Sequence, residues 1–212
     1  MTAVHRSIVC VDVEGYGHRS RTDWDRLAVR RGMYAALQRA FTGSGVPWNS
    51  CYYEDRGDGA MVLVPPGVPK ERLAARLPDA LVPPLVRHNC TTAPGARIRL
   101  RVALHAGEIR YDPHGVVGSS LNLAFRLLEA EPVKSALRAS PGVLALIASD
   151  WFYDEVIRQT PVCAPDAYRS VLVAVKETRT RGWLRLPGAD AERPAHRPVR
   201  QLIGRAWPGF GR

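Results

Sequence analysis

Asp58 stands between two glycines in the run Glu54-Asp55-Arg56-Gly57-Asp58-Gly59, directly before the apolar stretch Ala60-Met61-Val62-Leu63-Val64. Flanking glycines let the backbone come close to a ligand while the carboxylate points outward, which suits a hard cation carrying a phosphate. Taken alone, an Asp-Gly pair is equally the common chemistry of a hairpin turn with no function. A second acid in a matching setting shifts the balance: in Ser7-Ile8-Val9-Cys10-Val11-Asp12-Val13-Glu14-Gly15-Tyr16 a continuous apolar run ends on Asp12. Carboxylates at the ends of two separate strands can bind a pair of divalent ions, which clamp the attacking and leaving oxygens of phosphoryl or nucleotidyl transfer. Further on, Asn122 and Arg126 lie one helical turn apart and share a face. Together they could grip a ribose and a phosphate, with a local pair between Arg126 and Glu129 as the structural alternative.

The elements that must position these residues follow from periodicity. Ile8 to Val11 reads as a central strand covered on both faces. Trp48 to Tyr53 and Ala60 to Val64 read as the arms of a hairpin whose tip is Gly57-Asp58-Gly59. Thr22-Asp23-Trp24-Asp25 offers a helix cap, followed by a helix to about Phe41 with Leu27, Tyr34, Leu37 and Phe41 on one face, and Gly43 and Gly45 stop it. Pro69 opens a second helical region through Leu73 and Leu77, which Pro78 and Pro83-Pro84 break into two pieces. Ala96 to Ile109 alternates as a strand, with Ile98, Leu100, Val102 and Leu104 on one side and Arg97, Arg99, Arg101, Ala103 and His105 on the other. His105 is expected to be structural. Asp112-Pro113-His114-Gly115 connects onward to Gly118, and Ser119 or Ser120 is expected to cap a helix from Leu121 to Ala130. Val143 to Ala148 is a strand, Ser149-Asp150 caps a helix through Ile157, and Tyr168 to Val175 is a strand ending at Lys176, which Trp183 to Leu186 completes as a hairpin.

A chain of 212 residues with 46% hydrophobic and 24% charged content has ordinary globular composition. That length suits one domain, residues 1–186, followed by a Pro/Gly/Arg segment, 187–212, which lacks periodicity and reads as a basic tail. The net charge of +10 implies attraction to polyanions: nucleic acid, an acidic membrane face or a nucleoside triphosphate. No nucleic-acid recognition motif accompanies the charge. Cys10, Cys51, Cys90 and Cys163 are widely spaced and lack metal-type pairing, which fits reduced, buried thiols. There is no apolar signal core and no run near the ~20 apolar residues of a membrane span, so no membrane association and a cytoplasmic location are expected.

The order of Asp12-Val13-Glu14-Gly15-Tyr16, Gly57-Asp58-Gly59, Arg101-Val102-Ala103-Leu104-His105-Ala106-Gly107-Glu108 and Asn122-Leu123-Ala124-Phe125-Arg126 resembles the class III nucleotidyl cyclase catalytic domain, over roughly residues 6–186. The resemblance implies an α+β fold, a ferredoxin-like antiparallel sheet with helices on one face, working as a head-to-tail homodimer with sites at the interface. It implies that Asp12, Asp58 and the Val13 carbonyl hold two Mg²⁺ or Mn²⁺ ions, which activate the ribose 3′-hydroxyl and neutralise the triphosphate. Asn122 would orient the ribose, Arg126 would stabilise the transition state, and Lys176 would hold the outer phosphates. A downstream receptor for the cyclic nucleotide is implied as well.

The base-selecting positions depart from the family pattern. Glu54 replaces the lysine of adenylyl enzymes, as in guanylyl enzymes, and the second position maps near Gly115, which has no side chain to read a base edge. Tyr52 and Tyr53 beside Glu54 would narrow the pocket, and the Ile109–Gly118 segment is shorter than the family's usual dimer arm. Some compact, free-standing bacterial members make cyclic pyrimidine nucleotides in phage defence, and the chain resembles them. Guanine or a pyrimidine is thus expected over adenine. The alternatives are a catalytically silent nucleotide-binding module of the same fold and a basic nucleic-acid-binding protein.

Overall fold

The computed structural model describes residues 2–188; the segment from 189 onward, most of the expected basic tail, lies outside the described residues. Eight strands form one twisted sheet. They are β1 (Val4–Val13), β2 (Tyr52–Asp55), β3 (Gly59–Val64), β4 (Leu100–Asp112), β5 (Gly115–Val117), β6 (Leu144–Ser149), β7 (Arg169–Val175) and β8 (Thr178–Arg185). The order is β2-β3-β1-β4-β6-β8-β7, with β5 paired to β4. All pairings are antiparallel except β4 with β6.

The stretch β2-β3-β1-β4 is the expected ferredoxin-like core. Its crossover helices, α1 (Asp23–Gly43), α2 (Glu71–Ala75) and α3 (Leu77–Thr91), pack on the face presented by Val9, Val11 and Val13. Helices α4 (Ser119–Glu129) and α5 (Glu131–Ala139) connect β4 to the parallel β6 and cover the opposite face, against Ile8 and Cys10. Helices therefore lie on both faces rather than on one. The parallel pairing explains this, since a β4-to-β6 crossover must pass over one face, and the other is already occupied. It also explains the unbroken apolar runs of β1, β3 and β6, which are buried from both sides.

Local chemistry accounts for the element ends. Thr22 caps α1 in a reciprocal capping box with Asp25. The buried stripe of α1 is Val29, Met33, Ala36, Leu37, Ala40 and Phe41 at 3.6-residue spacing; Leu27 falls outside it and is exposed, and Tyr34 sits half-buried at its edge. The aromatic run at Trp48 is not a strand arm. Trp48–Ser50 forms a 3₁₀ turn after Pro47, and the buried Trp48 ring packs edge-on against Phe41 before β2 begins at Tyr52. The Pro69 region is two helices, as expected, but Pro83 and Pro84 lie within α3, whose Leu81 and Leu85 are fully buried. Neither Ser119 nor Ser120 caps α4: the cap residue is Gly118, whose carbonyl accepts from the amides of Leu121 and Asn122. The connection at Asp112 is a tight hairpin turn into β5, closed by an Asp112 Oδ1 bond from the His114 amide. Ser149 caps the short α6 (Asp150–Phe152), which continues as a π-helical turn over Tyr153–Ile157. Among the four cysteines, all free, Cys10 and Cys163 are buried, Cys51 is partly covered and Cys90 is exposed.

His105 is structural. It is buried and shares a 2.8 Å hydrogen bond between its Nδ1 and Ser149 Oγ, the same hydroxyl that caps α6. Burial, with a smaller contribution from nearby His5, pushes its pKa down to about 4. A histidine whose folded pKa lies below its unfolded value stabilises the fold fully above pH 6.5 and loses that contribution as pH falls toward 4. Denaturation between pH 7.5 and 4 should therefore show a loss that His105→Asn lacks, on the order of 3 kcal/mol at the acid end. A wild-type-minus-variant difference independent of pH would contradict this.

Candidate functional site

Asp12 ends β1 on the α4 face, opposite Gly59 of β3 on one side and Arg101 of β4 on the other. Arg101 grips it bidentately, Nε to Oδ1 at 2.7 Å and Nη2 to Oδ2 at 2.8 Å. Burial outweighs that guanidinium and raises the Asp12 pKa to about 6, and the charge of Asp58 adds to the rise. The two acids thus sense one another, as carboxylates around a shared cation would.

Asp58 is exposed at the tip of the β2–β3 hairpin. Its carbonyl accepts the Val13 amide at 2.9 Å, which fixes the tip on the end of β1. Gly59 makes this approach feasible, because a Cβ there would overlap the Val11 carbonyl oxygen. Gly57 supplies the turn with φ +83°. The tip is also clamped from α1. Arg30 donates Nη1 to Asp55 Oδ1 and to the Gly57 carbonyl, both at 2.8 Å, and Nη2 to Asp55 Oδ2 at 2.5 Å. Tyr34 adds its hydroxyl to Asp55 at 2.6 Å. The Arg30 hydrogen bonds lead in pulling the Asp55 carboxyl down to about 2. Asp12, Asp58 and the Val13 carbonyl are all hard oxygen donors of the kind Mg²⁺ and Mn²⁺ take. Among the described residues no three His, Cys, Asp or Glu side chains gather to cage a metal.

The remaining candidate residues lie on α4 and in the β7–β8 turn. Asn122 is exposed on α4, and Arg126, one turn later, pairs with Glu129 at 3.3 Å and with Glu177 at 3.4 Å. The local Glu129 pair is therefore present, yet Arg126 Nε is buried with no hydrogen-bond partner among the described residues. Lys176 occupies the β7–β8 turn beside Glu177, in the left-handed region at φ 50°, so the turn and α4 bring Asn122, Arg126 and Lys176 to one neighbourhood.

Glu54 lies on β2 with both carboxylate oxygens engaged: Tyr52 donates its hydroxyl at 2.5 Å and Arg56 its Nη2 at 2.7 Å. Gly115 is its neighbour, since a Cβ there would come within 3.1 Å of Glu54 Oε1. The two expected base-selecting positions are thus adjacent. Tyr53 is not with them. It points to the other side of the hairpin, stacked 5.1 Å from Trp48 and tilted against Tyr34 at 6.2 Å. The sequence pattern did not single out Arg30, Arg56 or Glu177, and Arg101 was placed on a strand without its partner. Arg30, Glu177 and Arg101 act across elements distant in sequence, and only the strand register pairs Arg101 with Asp12.

No protein-family model and no curated protein sequence matches the chain. Solved structures do. The guanylyl cyclase Cya2 superposes with a TM-score of 0.60 at 16% identity, over 86% of this chain and 91% of that one. An adenylate/guanylate cyclase/hydrolase from Silicibacter pomeroyi gives 0.60 at 19% identity, over 88% and 98%. The guanylyl cyclase domain of the RhoGC fusion protein from the aquatic fungus Blastocladiella emersonii gives 0.57 at 16% identity, over 88% and 99%. The chain has the α+β fold of class III cyclase catalytic domains.

The clamp on the hairpin tip can be tested directly. Arg30→Met should loosen it and accelerate tryptic cleavage after Arg56 by about fivefold, the equilibrium factor for losing an interaction of ~1 kcal/mol. Unchanged cleavage would mean that the tip is held by the Val13 bond alone.

Proposed function

We propose that this chain is a nucleotidyl cyclase, converting a nucleoside triphosphate to a 3′,5′-cyclic nucleotide and pyrophosphate at a site shared between two head-to-tail copies. What supports the reading above all is the division of the chemistry into two half-sites. Asp12, Val13 and Asp58 gather where β1 meets the β2–β3 tip, and Asn122, Arg126 and Lys176 gather at α4 and the β7–β8 turn. Within one copy each half is closed by its own partners, Asp12 by Arg101 and Arg126 by Glu129 and Glu177. A second copy would bring the complementary half to each.

In this mechanism Asp12 and Asp58, with the Val13 carbonyl, would hold Mg²⁺ or Mn²⁺. When bound, the ions lower the pKa of the ribose 3′-hydroxyl and offset triphosphate charge. Asn122 hydrogen-bonds the ribose and sets the hydroxyl in line with the α-phosphorus. Arg126, whose free Nε–H has no partner among the described residues, donates to charge building on the α-phosphoryl oxygens, and Lys176 neutralises the leaving pyrophosphate. Glu54 faces the base, and a pyrimidine or guanine is favoured over adenine. A role in phage defence and a receptor for the cyclic product belong to the same proposal.

A silent nucleotide-binding module is the second reading, favoured by the bidentate Asp12–Arg101 pair, which occupies a metal-binding carboxylate. The two are separated by incubating the protein with ATP, GTP, CTP and UTP in Mn²⁺ and identifying any cyclic monophosphate by mass. The cyclase yields one, with stoichiometric pyrophosphate, and the silent module yields none. Asp58→Ala and Arg126→Ala should each lower turnover by about 100-fold or more. Mixing the two variants should restore part of it, because a mixed dimer holds one intact composite site; no recovery in verified heterodimers would reject the shared site.

A further inference from the structure

Between the β4–β5 hairpin and α4 lies a cleft of about 350 Å³, lined by Arg56, Val116, Val117, Leu121, Asn122 and Phe125. Its lining is mixed, apolar at Val116, Val117 and Leu121 and polar at Arg56 and Asn122, and Arg56 stands over the Phe125 ring with its guanidinium carbon 5.2 Å from the centroid. One Nη2 hydrogen of Arg56 is given to Glu54. A second Nη2 contact goes to Met61 Sδ at 3.9 Å, which leaves Nη1 and Nε of this 42%-exposed side chain for a ligand in the cleft. Asn122 enters from the α4 side, which ties this space to the ribose position of the proposed reaction.

Hydrogen-bonding capacity here is uneven. Each Glu54 oxygen already accepts one strong bond, from Tyr52 or from Arg56, and Gly115 contributes no side chain. The side chain with unused capacity beside Glu54 is Arg56, and a guanidinium can only donate. Asn122, which also lines the cleft, can donate or accept, so Arg56 is the lining side chain that meets a base purely as a donor.

Building on the cyclase reading, we infer that Arg56 is a specificity-determining residue, donating to a carbonyl oxygen of the base and thereby selecting the keto bases (guanine, cytosine and uracil) against adenine. Guanine offers O6, cytosine O2, and uracil O2 and O4; adenine carries an amino group where guanine has O6, so a guanidinium aimed at that edge position meets another donor. A polar site left unpaired by the wrong ligand discriminates more sharply than an apolar one. Arg56 thus supplies the contact that the absent side chain at Gly115 leaves open.

The test uses 3′-deoxynucleoside triphosphates, which cannot cyclise, so that binding is read apart from turnover. Calorimetry in Mn²⁺ with the full chain should show at least one 3′-deoxy keto nucleotide binding about tenfold more tightly than 3′-deoxy-ATP, the discrimination of one good base contact. Arg56→Gln should bring the two within about threefold by weakening the keto nucleotide, and Arg56→Lys should retain part of the preference. Phe125→Leu, which removes the ring beneath Arg56 and leaves the charge, should narrow the ratio less than Arg56→Gln. Wild-type preference for 3′-deoxy-ATP, or a ratio unchanged in Arg56→Gln, would overturn the role of Arg56 while leaving the cyclase reading in place. Binding of none of the four nucleotides would overturn both.

Discussion

The close approach of β3 to β1 at Gly59 is the contact on which the remaining site geometry rests. A side chain at that position would push against the Val11 carbonyl and part the strands at the point where Asp12 emerges. With glycine there, the Asp58 carbonyl reaches the Val13 amide, and the hairpin tip is set beside the end of the central strand. Helices on both faces hold β1 in packed core, so Asp12 stands on a buried strand, whereas Asp58 reaches it from the exposed hairpin tip. The cationic group sits instead on a helix and a turn at the surface.

Much of this was legible in the sequence because it is local. Apolar runs bounded by glycine and proline marked β1, β3 and β6, the capping box at Thr22 and Asp25 marked the start of α1, and Gly57-Asp58-Gly59 marked a hairpin tip. What stayed hidden depends on packing. Trp48 has the composition of a strand residue but lies in a 3₁₀ turn with its ring packed edge-on against Phe41, and Pro83 and Pro84 are absorbed by a helix whose apolar face outweighs two lost backbone bonds. The second helical layer was missed because a parallel β4–β6 pairing leaves no local signature.

The candidate site divides along the same line. Residue types at Asp12, Asp58, Asn122 and Arg126 follow from spacing, whereas the partners that hold them do not. Tyr53 shows the limit of strand reasoning: it neighbours Glu54 in sequence, yet the two-residue alternation of β2 sends it to the opposite face to stack on Trp48. Tyr52, one position earlier, returns to Glu54's side and meets Tyr111 edge-on, 5.6 Å away, joining the two hairpins.

The Arg101 fork on Asp12 has a thermodynamic consequence for how the protein comes to exist at all. In structural zinc domains the polypeptide cannot assemble until its ion arrives, because the ligands repel one another and nothing else neutralises them. Here the chain carries its own counter-ion at 2.7 Å, supplied by the neighbouring strand. The half-buried carboxylate that ends the central strand is thus supplied with its counter-charge from within the chain, by the strand that pairs beside it.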